Sequence, residues 1–256
     1  MALLEARGLT KSFGGLRAVD DVFFDVREGS IKALIGPNGA GKTTLFNLVS
    51  GHLPADSGTV LLEGKPIHDR KPFQIAGAGL ARTYQHIRLF HKMTALENVM
   101  VGRHRLSRAG FIAGMLRLPY TRAEERHIRN KSMEALEFVG VAEHADTDAT
   151  SLSYGQQRQV EIARALALKP RLLLLDEPAA GLNMHETAET AKLITRIRDL
   201  GVTILVVEHD MSLVMNISDE VMVLSYGSKI AEDTPLGIQR NEEVVRVYLG
   251  DEDPDA

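Results

Sequence analysis

The chain has 256 residues, 44% hydrophobic and 25% charged, proportions of a folded globular protein that exclude global disorder and fibrous repeats. Thirty Lys and Arg against 34 Asp and Glu leave a formal charge of -4, and aromatics reach only 5% with no Trp, so a nucleic-acid partner is not expected. The absence of Cys excludes disulfide frameworks, thiolate metal sites and a Cys nucleophile.

The start, Met1-Ala-Leu-Leu-Glu-Ala-Arg, has no basic segment followed by an apolar one, so no signal peptide is expected. No uninterrupted apolar run reaches the roughly 20 residues needed to cross a bilayer; Ala109 to Leu116 is far too short.

The first part reads as β structure. Val22, Phe24 and Val26 alternate with other positions, the period of a strand. Ile31-Lys-Ala-Leu-Ile35 is a short apolar run ending at Gly36. Lys42 to Ser50 then carries Leu45, Leu48 and Val49 on one helical face, with Gly51 as its stop. Thr59 to Glu63 reads as a strand between the turn Asp56-Ser-Gly58 and Gly64.

The turn between Ile35 and Lys42 carries chemistry. Gly36-Pro-Asn-Gly-Ala-Gly-Lys42-Thr43 matches G-x-x-x-x-G-K-[ST], with a strand before and a helix after. Successive backbone N–H groups can wrap a polyphosphate there, and Cβ atoms at Gly39 and Gly41 are expected to obstruct the wrap. The helix presents its positive dipole end to the phosphates. Lys42 suits the β/γ oxygens, and Thr43 offers a hydroxyl to Mg²⁺. The alternative is a glycine-rich turn with a chance lysine; the full match in context weighs against it.

Residues 86 to 150 read as helical, with Met133, Leu136 and Val139 at helical spacing in the segment Ala123 to Val139. Residues 103 to 131 hold eight Arg or Lys against two Glu, either a partner or anionic-lipid surface or a solvated face. Leu152-Ser-Tyr-Gly-Gln156 precedes an amphipathic helix bearing Val160, Ala163 and Ala167 that stops before Pro170. On its own, Ser153 followed by Gln156 is a capping box.

The last third alternates apolar strands and amphipathic helices, the pattern of a mainly parallel sheet covered on both faces. Leu172 to Leu175, Val202 to Val207 and Val221 to Leu224 are the strands. Residues 184 to 200 form a helix expected to turn Ala188, Ala191, Ile194 and Ile197 inward. Asp176 and Glu177 end the first of these strands, at the sheet edge where ligands sit in open α/β folds. Asp176 is placed to hold Mg²⁺ or its water, and Glu177 to polarise an attacking water. Solvated strand-end acids are the plain alternative. The acidic tail from Asp251 is expected to fray.

Taken in order, these motifs resemble the ATP-binding subunits of ATP-binding-cassette (ABC) transporters over essentially the full length. The resemblance adds a glutamine loop at Gln85 in Arg-Thr-Tyr-Gln-His, a signature at Leu152 to Gln156 and a histidine switch at His209. More narrowly, the chain is similar to the branched-chain amino-acid transport type in Tyr84 to Phe90, Ser153 to Arg158, Ala179 to Asn183, Glu208 to Val214, the closing Val-Tyr-Leu-Gly250 and an insertion around 103 to 122. Tyr154, in place of a glycine, and Asn183, where Asp is frequent, depart from the wider pattern. The lipopolysaccharide-export cassettes are close neighbours, and non-transport ABC ATPases and P-loop kinases are the rival classes.

The resemblance implies a P-loop NTPase core with a mainly parallel sheet, an N-terminal antiparallel β subdomain and an inserted α-helical signature subdomain. Residues 1–85 and 160–235 would form the core with its β subdomain, 86–159 the helical part and 236–256 a C-terminal extension. It implies ATP and Mg²⁺ as ligands. The nucleotide contacts would be Phe13, stacking on adenine, with Val19, Gly36, Asn38, Gly39, Ala40, Gly41, Lys42, Thr43, Thr44, Ser153, Gly155 and Gln156. Glu177, His209, Lys42 and Gln85 would be catalytic, and Thr43, Gln85 and Asp176 would surround the metal. ATP would be sandwiched between this chain's phosphate loop and the signature of a second cassette, identical or sibling. Membrane-spanning permease subunits, and through them a substrate-binding protein, would be the other partners, at the cytoplasmic face of the membrane.

Overall fold

The computed structural model describes residues 1–104 and 119–249. Residues 105–118, which hold Ala109 to Leu116, the centre of the proposed insertion and part of the basic stretch, lie outside the described residues, as does the acidic tail. The chain divides into two compact units: Met1–Arg82, Arg171–Ala180 and Met184 onward, and Thr83–Pro170 with Gly181–Asn183.

The first unit holds two sheets. Strands β1 (Ala2–Phe13), β2 (Leu16–Arg27), β4 (Ser57–Leu62) and β5 (Lys65–Pro66) form an antiparallel sheet in the order β2-β1-β4-β5. Strands β3 (Ile31–Ile35), β6 (Leu80–Arg82), β7 (Leu172–Asp176), β8 (Thr203–Val207), β9 (Glu220–Ser225) and β10 (Ser228–Asp233) form the second, ordered β10-β9-β3-β8-β7-β6. All its pairings are parallel except the edge hairpin β9–β10.

Every residue of β3, β7 and β8 is buried, which explains their apolar runs. Lys32 interrupts the run on β3 and is fully buried. Its ammonium donates to the Asp25 carbonyl at 2.6 Å and to Glu220 at 2.8 Å, and it pairs with Glu232. A buried ammonium persists because oxygen acceptors surround it.

Helix α1 (Lys42–Val49) packs Leu45, Phe46, Leu48 and Val49 into the core shared with β1, β2 and β4. Helix α2 (Pro72–Gly77) precedes β6. The other described helices of the first unit are α6 (Met184–Asp199), α7 (Met211–Ile217), α8 (Pro235–Gln239) and α9 (Glu242–Leu249). In α6 the buried stripe is Thr190, Leu193, Ile194 and Ile197. Ala188, expected inward, is exposed, and Ala191 is half-buried. The helix's apolar face is confined to its C-terminal half.

The second unit is built on α3 (Ala95–His104), α4 (Pro119–Val139) and α5 (Tyr154–Ala167). Thr94 and Glu97 form a reciprocal capping box at the start of α3. Helices α3 and α5 approach closely at Gly102, where a Cβ would lie 2.4 Å from the Arg164 carbonyl oxygen. Fully buried Asn98 accepts from the Phe90 N–H at 2.7 Å and donates to the Thr94 carbonyl at 3.0 Å, folding residues 90–94 back on the helix. Residue 159, the boundary expected from sequence, falls inside α5. The whole helix belongs to the second unit, because its apolar face packs on α3 and α4.

Candidate active site

The phosphate loop runs from the end of β3 to the start of α1. Gly36, Gly39 and Gly41 all have positive φ, at 152°, 82° and 102°. A Cβ on Gly36 would come within 2.2 Å of the Leu224 carbonyl oxygen, and one on Gly41 within 2.2 Å of the Ala18 carbonyl oxygen. Gly39 differs: a Cβ there meets nothing within 4 Å. Gly41 is required by the neighbouring β2 backbone, and Gly39 by its left-handed conformation. The Gly227 N–H donates to the Ala40 carbonyl at 3.0 Å and its carbonyl accepts from Asp20 at 2.9 Å, clamping the loop base.

Lys42 lies along the loop, donating to the Gly36 and Pro37 carbonyls at 2.6 and 3.0 Å. Burial pushes its pKa below the usual lysine range, and the Glu177 charge partly offsets this. Thr43, at the first turn of α1, is exposed and Thr44 half-buried; Asn38 is exposed and Ala40 buried. Phe13 ends β1 half-exposed, with the Lys11 ammonium 5.8 Å from its ring centre. Val19 does not fit the expected nucleotide set. It is fully buried in the core of the first unit, and its side chain has no surface to offer a ligand.

The acidic strand end sits beside this loop. Asp176 is buried and accepts from Arg82 at 2.9 Å. Glu177 follows with φ +47°, a left-handed conformation unusual for a non-glycine residue and frequent at functional sites. The Glu177 N–H donates to the Val207 carbonyl at 2.9 Å, and its carbonyl accepts from Ala180 at 3.1 Å. The exposed His209 ring has Nδ1 3.8 Å from the Glu177 carboxylate and 3.9 Å from that of Glu208.

Sequence reasoning assigned Glu208 no role. It is fully buried and accepts from the Ala179 N–H at 2.8 Å and the His209 N–H at 3.1 Å. Burial pushes its pKa up, against those backbone donors. It ties the loop after Glu177 to the end of β8. Tyr248 of α9 was also missed: its hydroxyl hydrogen-bonds the backbone of Gly36, and burial raises its pKa.

Gln85, Ser153, Gly155 and Gln156 belong to the second unit. Ser153 caps α5, its hydroxyl accepting from the Gln156 N–H at 3.3 Å while the Gln156 side chain accepts from the Ser153 N–H at 3.0 Å. The capping box is formed, and it also leaves a helix start of small and polar residues. Arg158, buried one turn on, donates to the carbonyls of Tyr84 at 2.6 Å and Gln85 at 2.8 Å, to Glu161 at 2.9 Å and to the Tyr154 hydroxyl at 3.2 Å. The Tyr154 ring also lies against Gly181, 3.3 Å from where a Cβ would be. Tyr154 in place of glycine thus packs the signature helix onto the Gly181–Asn183 segment.

The donors named for a metal are one carboxylate, one hydroxyl and one amide oxygen. Hard oxygen donors suit Mg²⁺, which takes few protein ligands and completes its shell with phosphate and water. Among the described residues no cluster of three or more His, Cys, Asp or Glu could hold an ion by itself. The residues present therefore fit a nucleotide-borne Mg²⁺ and not a protein-only metal cage.

The family profile described as ABC transporter matches residues 19–180, more than half of the chain. A second, described as Branched-chain amino acid ATP-binding cassette transporter, matches residues 228–254. The chain is 45% identical over 97% of its length to the high-affinity branched-chain amino acid transport ATP-binding protein BraF of Pseudomonas aeruginosa, covering 98% of that protein. It is 44% identical to the high-affinity branched-chain amino acid transport ATP-binding protein LivG of Escherichia coli, with the same coverage of 97% and 98%. Among solved structures, a nucleotide-free ATP-binding cassette from an ABC transporter superposes with a TM-score of 0.85 at 31% identity, covering 98% of this chain and 100% of that one. An ADP-bound cassette gives 0.85 at 32%, covering 98% and 99%.

Proposed function

Because this chain belongs to the ABC transporter family as an ATP-binding cassette, we propose that it is the ATP-hydrolysing subunit of an importer of branched-chain amino acids. The substrate class is carried over from relatives that match end to end at 44–45% identity. No described helix is long and apolar enough to cross a membrane. The chain then works peripherally, at the cytoplasmic face, with membrane-spanning permeases.

The observation that carries the hydrolytic reading is the meeting of Glu177, His209 and Lys42 at one sheet edge. Lys42 exchanges its contacts with the loop carbonyls for the β- and γ-phosphate oxygens. The main-chain N–H groups of Gly39 to Thr44 and the start of α1 take up further charge. Phe13 stacks on the adenine. Glu177 orients a water in line with the γ-phosphorus and accepts its proton as the bond to the β-bridging oxygen breaks, leaving ADP and phosphate. His209 contacts the γ-phosphate and holds Glu177. Thr43 and Asp176 would hold Mg²⁺, which when bound would supply neutralisation of the developing phosphate charge.

Ser153, Gly155 and Gln156 serve the other active site: they meet the γ-phosphate bound by a second cassette. ATP therefore favours the closed pair, and its hydrolysis withdraws that preference. The Gln85 loop hands the change to a permease. The test is uptake of radiolabelled leucine into proteoliposomes holding the cassette, its permeases and binding protein. ATP-dependent uptake supports the proposal; brisk ATP hydrolysis with no branched-chain amino acid taken up contradicts it.

A further inference from the structure

We propose that Arg82 is a positioning residue for the metal-binding carboxylate of Asp176, an inference that rests on the nucleotide site proposed above. Arg82 ends β6, which pairs with β7 through Arg82 and Leu174. Its side chain and that of Asp176 are 6% and 5% exposed, so the pair is sheltered from water. One guanidinium nitrogen donates to Asp176 Oδ2 at 2.9 Å. The other reaches away, to Asn47 Oδ1 and Ser50 Oγ, both at 2.7 Å. The guanidinium carbon lies 5.6 Å from the centre of the Phe46 ring.

One planar cation thus links the C-terminal end of α1, the helix that begins with Lys42 and Thr43, to the strand end that carries Asp176. The fork fixes which carboxylate oxygen faces the guanidinium and therefore how the other is turned. It also keeps a buried carboxylate compensated. A lysine offers one point charge and cannot hold acceptors on both sides of the fork. Groups that orient a metal-binding side chain without touching the metal commonly set its affinity within a factor of 10–100.

The experiment uses the full chain, Mn²⁺ as probe and a non-hydrolysable ATP analogue, with bound Mn²⁺ read by electron paramagnetic resonance. R82Q is expected to weaken Mn²⁺ binding about 10–100-fold, while analogue affinity in EDTA changes less than about twofold. R82K is expected to fall between R82Q and the parent, and it carries the test if R82Q does not fold. A folded R82Q or R82K that binds Mn²⁺ as tightly as the parent, with only its melting temperature lowered, overturns the inference and leaves the site reading intact. A parent chain that binds no Mn²⁺ with the analogue overturns the site reading, and the inference with it.

Discussion

Arg158 donates a hydrogen bond to the main-chain carbonyl of Gln85 at 2.8 Å. The signature helix therefore holds the backbone of the glutamine loop directly. The same guanidinium reaches Tyr84, Glu161 and Tyr154. Removing it takes the closest cation from the buried Glu161 carboxylate, whose pKa burial already pushes up, and leaves it Arg164 at 3.8 Å and the Arg88 N–H at 3.4 Å. R158M is expected to cost about 3–5 kcal/mol, the usual penalty for breaking a buried pair, and the double variant R158M/E161M to recover part of it. Denaturant unfolding of both variants checks this. Additive losses would show that the two side chains do not depend on each other.

Gly39 and Gly41 share a left-handed backbone but differ in surroundings, so their alanine variants should part. G39A pays the left-handed cost alone, about 1–2 kcal/mol. G41A adds the collision with the Ala18 carbonyl. G41A should therefore melt lower than G39A, by about 2–4 °C for each additional kcal/mol in a chain of this size. Equal melting temperatures from calorimetry would contradict the account of Gly41.

The half-exposed ring of Phe13 offers a flat face that reads no base edge. F13A is expected to weaken ATP binding by about 1–3 kcal/mol, the range for one base stacked on an aromatic side chain. GTP should lose about as much. Isothermal titration with both nucleotides decides; unchanged affinity for ATP rules the stacking role out.

Lys42 predicts a pH effect on stability. Burial lowers its folded pKa, so between that value and the ordinary lysine value of about 10.4 the unfolded chain binds more protons. Stability of the parent therefore rises with pH through that interval. K42M lacks the titrating group. The parent should gain on K42M as pH rises toward the ordinary lysine value of about 10.4 in paired denaturant melts, and a constant difference would contradict the cost of holding that ammonium.

The parts of the site that announce themselves in sequence are those made of neighbours along the chain. Gly36 to Thr43 is one loop, and Asp176 and Glu177 are adjacent. The buried strands were readable because apolar runs of five residues have few other uses. What stayed hidden is what folding brings together from afar. Arg82 and Asp176 are 94 positions apart, and Arg158 and Gln85 are 73. Glu208 looked like part of a histidine motif; only its burial and its bond to Ala179 reveal an anchor. Ala188, expected inward from helical spacing, is exposed, because periodicity fixes spacing along an element and not which face its neighbours cover.

Glu177 is the test of the whole account, since in the proposed mechanism it is the group that takes the proton from water. The most direct measurement is radiolabelled ATP binding and single-turnover hydrolysis by E177Q together with its partner cassette. The account predicts parental ATP affinity, ATP-driven association of the two cassettes and turnover reduced by about a thousandfold or more, the scale on which a catalytic proton acceptor acts. Hydrolysis at near the parental rate, or bound ATP that never draws the cassettes together, would contradict it.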